Sequence, residues 1–171
     1  MTTDEVLNRN LRGILNRKLQ TGTKTALVLR AIASDSSTSA SESELSDDIF
    51  GTSGDVLNLK SQYASCSDGK LQFQPLTTNN LVGVDGVYTV NIPSITVTGA
   101  TRETVRNAII NQAAIDLGVS LNTIADHVLV CIPPGTTPKN WVGNANVNNW
   151  RSMYNDNSCR YPSILLHEIG K

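Results

Sequence analysis

The sequence predicts an α/β fold in which helices cover a twisted mixed sheet. Two apolar runs, residues 24–33 and 127–132, have the β-branched and aliphatic content of buried strands. Between them, Thr101 caps an amphipathic helix that ends at Gly118. A strand, a helix and a strand in this order favour a sheet with at least one crossover helix.

Length and composition exclude several classes of protein. The 171 residues suit a single domain, and 17% of them are charged, below the roughly 25% that is typical of soluble domains. A surplus of Ser, Thr and Asn instead is compatible with an extracellular protein. The net charge is −1 with no cluster of Lys and Arg, so nucleic acid is not an expected partner. No run approaches the ~18 apolar residues of a membrane span.

The first residues are expected to form a unit of their own. Residues 1–22 contain an amphipathic helix with a basic outer face, which is either a solvated surface or the remnant of a pro-segment. They lack the basic leader and apolar core of a signal peptide, so the chain as written would remain in the cytosol unless its true start lies upstream. The remaining residues, 23–171, are expected to form the main domain.

The rest of the chain predicts short elements separated by turns. Ser43 is expected to cap a helical stretch, and two apolar patches around Gly51–Thr–Ser–Gly54 indicate two short helices or one broken helix. Alternation predicts half-exposed strands that pair as a hairpin, and an Asn-rich segment with two tryptophans favours irregular structure. The strands are residues 70–76 and 86–92, a further extended piece is 94–98, and the polar loops are 34–41 and 136–160.

The three cysteines leave two alternatives open. Cys66, Cys131 and Cys159 are too few and too far apart for a zinc ribbon or a C-x-x-C redox site. They form either one disulfide with one free thiol, or three buried thiols.

The chemistry that the sequence suggests lies at its end, where an apolar helix beginning at Pro162 carries His167 and Glu168. In an H-E-x-x-H motif two histidines one turn apart bind zinc, and the glutamate takes a proton from the bound water. His167 would be a metal ligand and Glu168 the general base, but Lys171 stands where the second histidine would be. The alternative is a solvated His-Glu pair without chemistry. The other histidine, His127, is expected to have a structural role.

These residues carry a resemblance to a known family. The final helix looks like the start of the metzincin active-site helix, H-E-I-G-H-x-x-G-x-x-H, and the chain resembles the gametolysin family of zinc metallopeptidases. The segments that carry the resemblance are 66–73, 129–135, 141–145 and 163–170, and it spans residues 23–170. It implies a metzincin-like upper subdomain, a twisted mixed sheet backed by helices that ends in a truncated active-site helix. It also implies an extracellular zinc endopeptidase acting on cell-wall or matrix proteins and glycoproteins.

The departures from the family pattern bear on activity. Only His167 as zinc ligand and Glu168 as base can be transferred, because Lys171 replaces one histidine and the third histidine and the Met-turn have no counterpart in this sequence. One ligand does not hold catalytic zinc, which needs three, so we expect no stable Zn²⁺ in this chain. Two functions follow as expectations: an incomplete, inactive metalloendopeptidase, or a noncatalytic binding or interaction protein on a degenerate metallopeptidase scaffold. A third interpretation is an unrelated α/β domain whose final residues match by coincidence.

Overall fold

The computed structural model describes residues 20–77 and 83–171. The helix predicted within residues 1–22 lies almost wholly outside these ranges, and the described chain opens with the first strand. No helix within these ranges is both long enough and apolar enough to cross a membrane.

In the part of the chain that the structure describes, six strands form one mixed sheet, which confirms the predicted α/β class. The order is β2–β1–β4–β6–β5, and β3 also pairs with β1. Every pairing is parallel except that of β5 with β6. The strands are Gly22–Ala33 (β1), Leu71–Pro75 (β2), Val87–Ile92 (β3), His127–Ile132 (β4), Gly143–Ala145 (β5) and Arg151–Asn155 (β6).

The long strand β1 organises the sheet. Its twelve residues pair along one edge with β2 and then with β3, and along the other edge with β4. The predicted hairpin of β2 and β3 is therefore wrong, since both run parallel to β1 as two pieces of one edge. Alternation marked each piece as half-exposed, but it carries no information about the partner strand. Pro75 is tolerated at the end of β2 because β2 is an edge strand and the ladder bond to the Ala26 carbonyl comes from the next amide, that of Leu76.

Four α-helices flank the sheet in the described ranges. They are Glu42–Phe50 (α1), Leu59–Cys66 (α2), Arg102–Leu117 (α3) and Pro162–Ile169 (α4). Helix α3 packs on one face in a cluster with Val130 and Met153, whereas α1, α2 and α4 pack on the other with Leu129 and Tyr154. Because α3 connects β3 to the parallel strand β4, the predicted crossover helix is confirmed.

The helix ends follow local capping rules. Thr101 caps α3 by accepting a hydrogen bond from the Thr104 amide, and Gly118 ends it at φ +65°, as predicted. The prediction of two short helices is also confirmed, but Ser41 rather than Ser43 caps α1. Glu44 decides this, because its side chain accepts from the Ser41 amide and completes a capping box.

The second of the two apolar patches predicted around residues 51–54 was expected to include Val56 and Leu57, but neither residue packs into the core. They lie before α2 with exposed fractions of 79% and 64%. The extended piece 94–98 pairs with no strand: residues 95–97 have no regular structure and lie between two turns, and the Asp35 carboxylate accepts hydrogen bonds from the amides of Val97 and Thr98.

A disulfide bond resolves the two cysteine alternatives. Cys131 in β4 is bonded to Cys159 with a Cα–Cα distance of 5.7 Å, and Cys66 is an exposed free thiol, so three buried thiols is wrong. Closing a loop with a sequence separation of 28 stabilises the fold by about 3–4 kcal/mol in the chain-entropy account. Since Cys159 lies just before Pro162, the bond fastens the start of α4 to the centre of the sheet.

The Asn-rich segment is more ordered than expected. It is largely irregular, but it contains β5 and β6, which the sequence did not predict. Ser152, Met153 and Tyr154 are buried, and β6 pairs in parallel with β4. A polar residue at a buried position and the flanking asparagines concealed the strand pattern.

Candidate functional site

Helix α4 forms as predicted and places its last turn against the sheet. Pro162 occupies the first turn, and Leu165 is fully buried. Glu168 lies three residues after Leu165 and therefore shares its face, which turns the carboxylate inward. His167 is on the outer side, with 71% of its side chain exposed. His167 and Glu168, which are adjacent in the sequence, therefore lie in opposite environments: the histidine is exposed and the glutamate is buried.

Glu168 is buried and already has a cationic partner. Its side chain is 5% exposed, and Lys171 Nζ donates to Glu168 Oε2 over 2.7 Å. His167 Nε2 lies 4.0 Å from the other carboxylate oxygen. A carboxylate removed from water requires compensation by a charge or hydrogen bonds, and the ammonium of Lys171 supplies it.

A glycine in β5 allows the strand to pass close to Glu168. A Cβ at Gly143 would lie 2.9 Å from Glu168 Cγ and 3.3 Å from both Ile164 Cγ2 and Tyr154 Cδ1. A larger residue at Gly143 would therefore force the side chain of Glu168, and to a lesser extent those of Ile164 and Tyr154, to shift. Reasoning from the His-Glu motif missed Gly143, although it lies within the segment 141–145 that carries part of the family resemblance.

Tyr154 in β6 is the third residue close to Gly143 and Glu168 on this side of the sheet. It is fully buried, and burial raises the pKa of its hydroxyl above the ordinary range, with a further rise from the charge of Glu168. Tyr154 therefore remains a neutral phenol under Glu168. The strand that carries it was not predicted, so this residue was also missed.

The second histidine is engaged within the sheet. His127 is buried at the start of β4, and its Nε2 is 2.9 Å from Ser152 Oγ, within hydrogen-bond distance. Burial lowers the pKa of His127 to about 4, so the ring is neutral near neutral pH. This contact is the structural role that the sequence predicted for it.

The described residues do not fit a catalytic zinc ion. Within 20–77 and 83–171, no three side chains from His, Cys, Asp and Glu come together as a metal site. His167 is a single imidazole, and Glu168 is bonded to Lys171, whose positive charge opposes a cation. We therefore derive no reaction step through a metal.

The helix lies beside the edge of the sheet. β5 is the terminal strand in the sheet order, is antiparallel to β6 and packs against α4 through Gly143. An edge strand carries backbone N–H and C=O groups with which an extended peptide can pair. The site thus combines a buried carboxylate with a template for a peptide backbone.

Comparisons of the chain with protein-family models, with curated proteins and with solved structures found no match.

Proposed function

We propose that residues 23–171 form the scaffold of a gametolysin-like metalloendopeptidase that does not hydrolyse peptides as this chain. The observation that carries the proposal is the placement of α4, which brings Glu168 against the antiparallel edge strand β5 and leaves His167 beside it on the exposed side of the helix. In a peptidase a carboxylate that takes a proton from water must lie beside the extended substrate backbone. The mixed sheet and the order of the resembling segments along the chain also support this assignment.

The substrates of such a scaffold are protein or glycoprotein chains in extended conformation, in an extracellular setting. As the terminal strand of the sheet, β5 offers backbone pairing, which is independent of side-chain sequence. The disulfide between Cys131 and Cys159 agrees with an oxidising compartment.

Lys171 accounts for the proposed lack of activity. Its ammonium is bonded to one of the two carboxylate oxygens of Glu168, and its charge stabilises the ionised carboxylate, which weakens Glu168 as a base. In the sequence Lys171 is four residues after His167, where an H-E-x-x-H motif has its second imidazole, although α4 itself ends at Ile169. A cation therefore replaces one of the two histidines and also pairs with the carboxylate that would be the base.

A Lys171→His variant tests this assignment. We expect zinc affinity, measured by isothermal titration calorimetry, to rise by about tenfold or more, because two imidazoles at i and i+4 chelate one ion. The matched control is Lys171→His combined with His167→Ala, which should lose the gain. No gain in Lys171→His would overturn the role of His167 as a ligand.

Cleavage of a fluorogenic peptide mixture tests the inactivity. We expect the unmodified chain with added zinc to cleave no faster than its Glu168→Gln variant. Zinc-dependent cleavage that Glu168→Gln abolishes would show that the chain is an active peptidase.

A noncatalytic binding or interaction protein on the same scaffold is the second candidate. The Lys171–Glu168 ion pair favours it, since the pair neutralises the buried carboxylate without a metal. This function predicts cooperative melting that is unchanged by EDTA. A melting temperature that falls on chelation would instead indicate a structural metal and count against it.

A further inference from the structure

A cleft with two arginines lies on the face of the β5–β6 pair opposite Glu168. Successive residues of a strand point to opposite faces, so Asn144 faces α3 while Gly143 faces α4. The cleft is shallow, because almost all of its empty space is open to solvent and the enclosed part has room for no more than about one water molecule. A ligand would therefore lie at the open mouth of the cleft, against the side chains that line it. Its polar lining comes from Arg106, Arg151, Asn144, Asn146 and Asn149.

Two arginines line the cleft, and neither has an acidic partner among the residues that the structure describes. Arg106 comes from α3 and Arg151 from β6, and neither forms a salt bridge within the described part of the chain. The nearest acidic side chain of α3, Glu103, is bonded to Arg102 Nε at 2.8 Å. Arg106 donates only to the neutral amide oxygen of Asn107, at 3.2 and 3.0 Å.

The two charges repel each other across the cleft. Burial lowers the pKa of Arg106, and the charge of Arg151 lowers it further, whereas Glu103 offsets part of this effect. The chain as a whole has a net charge of −1, so the concentration of positive charge is local to this cleft. Such a repulsion is relieved when an anion lies between the two groups.

Aromatic packing and backbone contacts fix the cleft in advance. The Arg151 guanidinium lies 5.3 Å from the Trp150 ring centroid, a cation–π distance, and the Arg151 amide donates to Asn149 Oδ1 over 3.3 Å. Arg102, one turn before Arg106 on α3 and not part of the cleft lining, lies 5.3 Å from the Trp141 ring in the same way. Arg151, held by Trp150, loses little side-chain entropy when it binds.

We propose that this cleft is a binding site for a compact oxyanion, a carboxylate, sulfate or phosphate group held between Arg106 and Arg151. Guanidinium groups present paired N–H donors that match two oxygens of such a group, and the asparagine amides add neutral donors. The site is independent of the peptidase proposal, because it uses none of His167, Glu168 or Lys171. The oxyanion is either a free ion or an acidic side chain of a bound peptide.

The test is an NMR titration of the arginine Nε–H and tryptophan indole resonances at constant ionic strength. The ligands are sodium sulfate, phosphate, acetate and a short aspartate-rich peptide, and sodium chloride is the reference. We expect saturable shifts at Arg106, Arg151 and Trp150 with at least one oxyanion. If the peptide binds far more tightly than acetate, the natural ligand is an acidic side chain of a peptide. If the peptide and acetate bind equally well, the natural ligand is a free ion.

Charge-matched variants separate a site from general electrostatics. Arg106→Gln and Arg151→Gln should each weaken binding by about tenfold or more, since each removes charge-assisted hydrogen bonds. Arg160→Gln removes the same charge from a residue bonded to Asp48 and should leave binding unchanged. Arg151→Lys keeps the charge without the planar fork and should bind at an intermediate level. Equal weakening in all variants, or shifts with chloride as large as with oxyanions, would overturn the proposal.

Discussion

The two faces of the β5–β6 pair differ in whether their charged side chains have a partner of opposite charge. On the α4 face the carboxylate of Glu168 is bonded to Lys171 at 2.7 Å, so the charge is satisfied within the chain. On the α3 face Arg106 and Arg151 lie near each other, and the described residues give neither one a salt bridge. Residues that are adjacent in β5 contribute to these two environments, since Gly143 faces one and Asn144 the other.

The difference has a physical cause and a functional meaning. A carboxylate that is 5% exposed would be costly to bury without a partner, whereas half-buried arginines retain part of their hydration. A charge pair that is closed internally leaves little for a ligand to gain. Two like charges that remain unpaired favour an added anion. The α4 face, which carries the motif, thus has its charge paired within the chain. The α3 face, which carries no motif, has the charges that an added ligand could neutralise.

The largest expected effect is a loss of stability at acidic pH caused by His127. Alternation along β4 places His127 on the same side of the sheet as Leu129, the side that α4 covers. Its pKa of about 4 in the folded state is below the ordinary 6.5. Above pH 6.5 the ring is neutral in both states; as the pH falls towards 4, only the unfolded chain gains the proton. The folded state should therefore lose about 3 kcal/mol of stability over this range.

The measurement is the free energy of unfolding by denaturant between pH 7.5 and pH 4 for the unmodified chain and for His127→Gln. The glutamine can keep a hydrogen bond to Ser152 but does not titrate, so the difference between the two curves isolates His127 from the carboxylates. Parallel curves would show that the ring reaches solvent and that the α4 face is more open than proposed.

A smaller effect is expected when the ion pair on the α4 face is broken. Lys171→Met keeps most of the side-chain length but leaves Glu168 buried without a cation. We expect a loss of about 1–3 kcal/mol, below the 3–5 kcal/mol of fully buried pairs because Lys171 is 31% exposed. Thermal and denaturant unfolding measure this change.

Lys139→Met is the control for that variant, because it removes an exposed lysine and should change stability by no more than about 0.5 kcal/mol. The backbone carbonyl of Lys171, which accepts from the Asn148 amide, is unaffected by the substitution. Equal effects of both substitutions would mean that Glu168 does not depend on Lys171.

The smallest effect should have the opposite sign. Arg106→Gln removes one of two repelling charges on the α3 face, so we expect stability to rise by about 0.5 kcal/mol at low salt. The gain should disappear in 1 M salt, where the Debye length is about 3 Å. Arg160→Gln, which removes a paired charge, should lower stability slightly. A loss of stability in Arg106→Gln would mean that the arginine serves the fold.

Much of the fold could be predicted because it is encoded locally. The runs 24–33 and 127–132, the helix between Thr101 and Gly118, and the helix beginning at Pro162 all appear as expected. Their signals are periodicity, caps and breakers, which act within a few residues. Strand β6 was missed for the same reason, since Ser152 interrupts its apolar pattern and only pairing with β4 makes it a strand.

The candidate site was predictable only in part. The sequence indicated His167, Glu168 and the lysine at Lys171, because they lie within one turn of a helix. It did not indicate that Glu168 turns inward while His167 turns outward, which depends on the face that Leu165 buries. Gly143 and Tyr154 come from strands whose register against α4 is not visible in local pattern.

By itself the sequence determined the two buried strands, the helix that Thr101 caps and the helix that begins at Pro162. Hydrogen bonding and periodicity over a few residues specify these elements. The sequence also placed His167 and Lys171 close to Glu168 along the chain. Only the tertiary structure decided which cysteines pair, that β2 and β3 share one edge of β1, and that Arg106 meets Arg151. These contacts join residues far apart in the chain, and they follow from the order and register of the strands together with the burial of α3 and α4 on opposite faces.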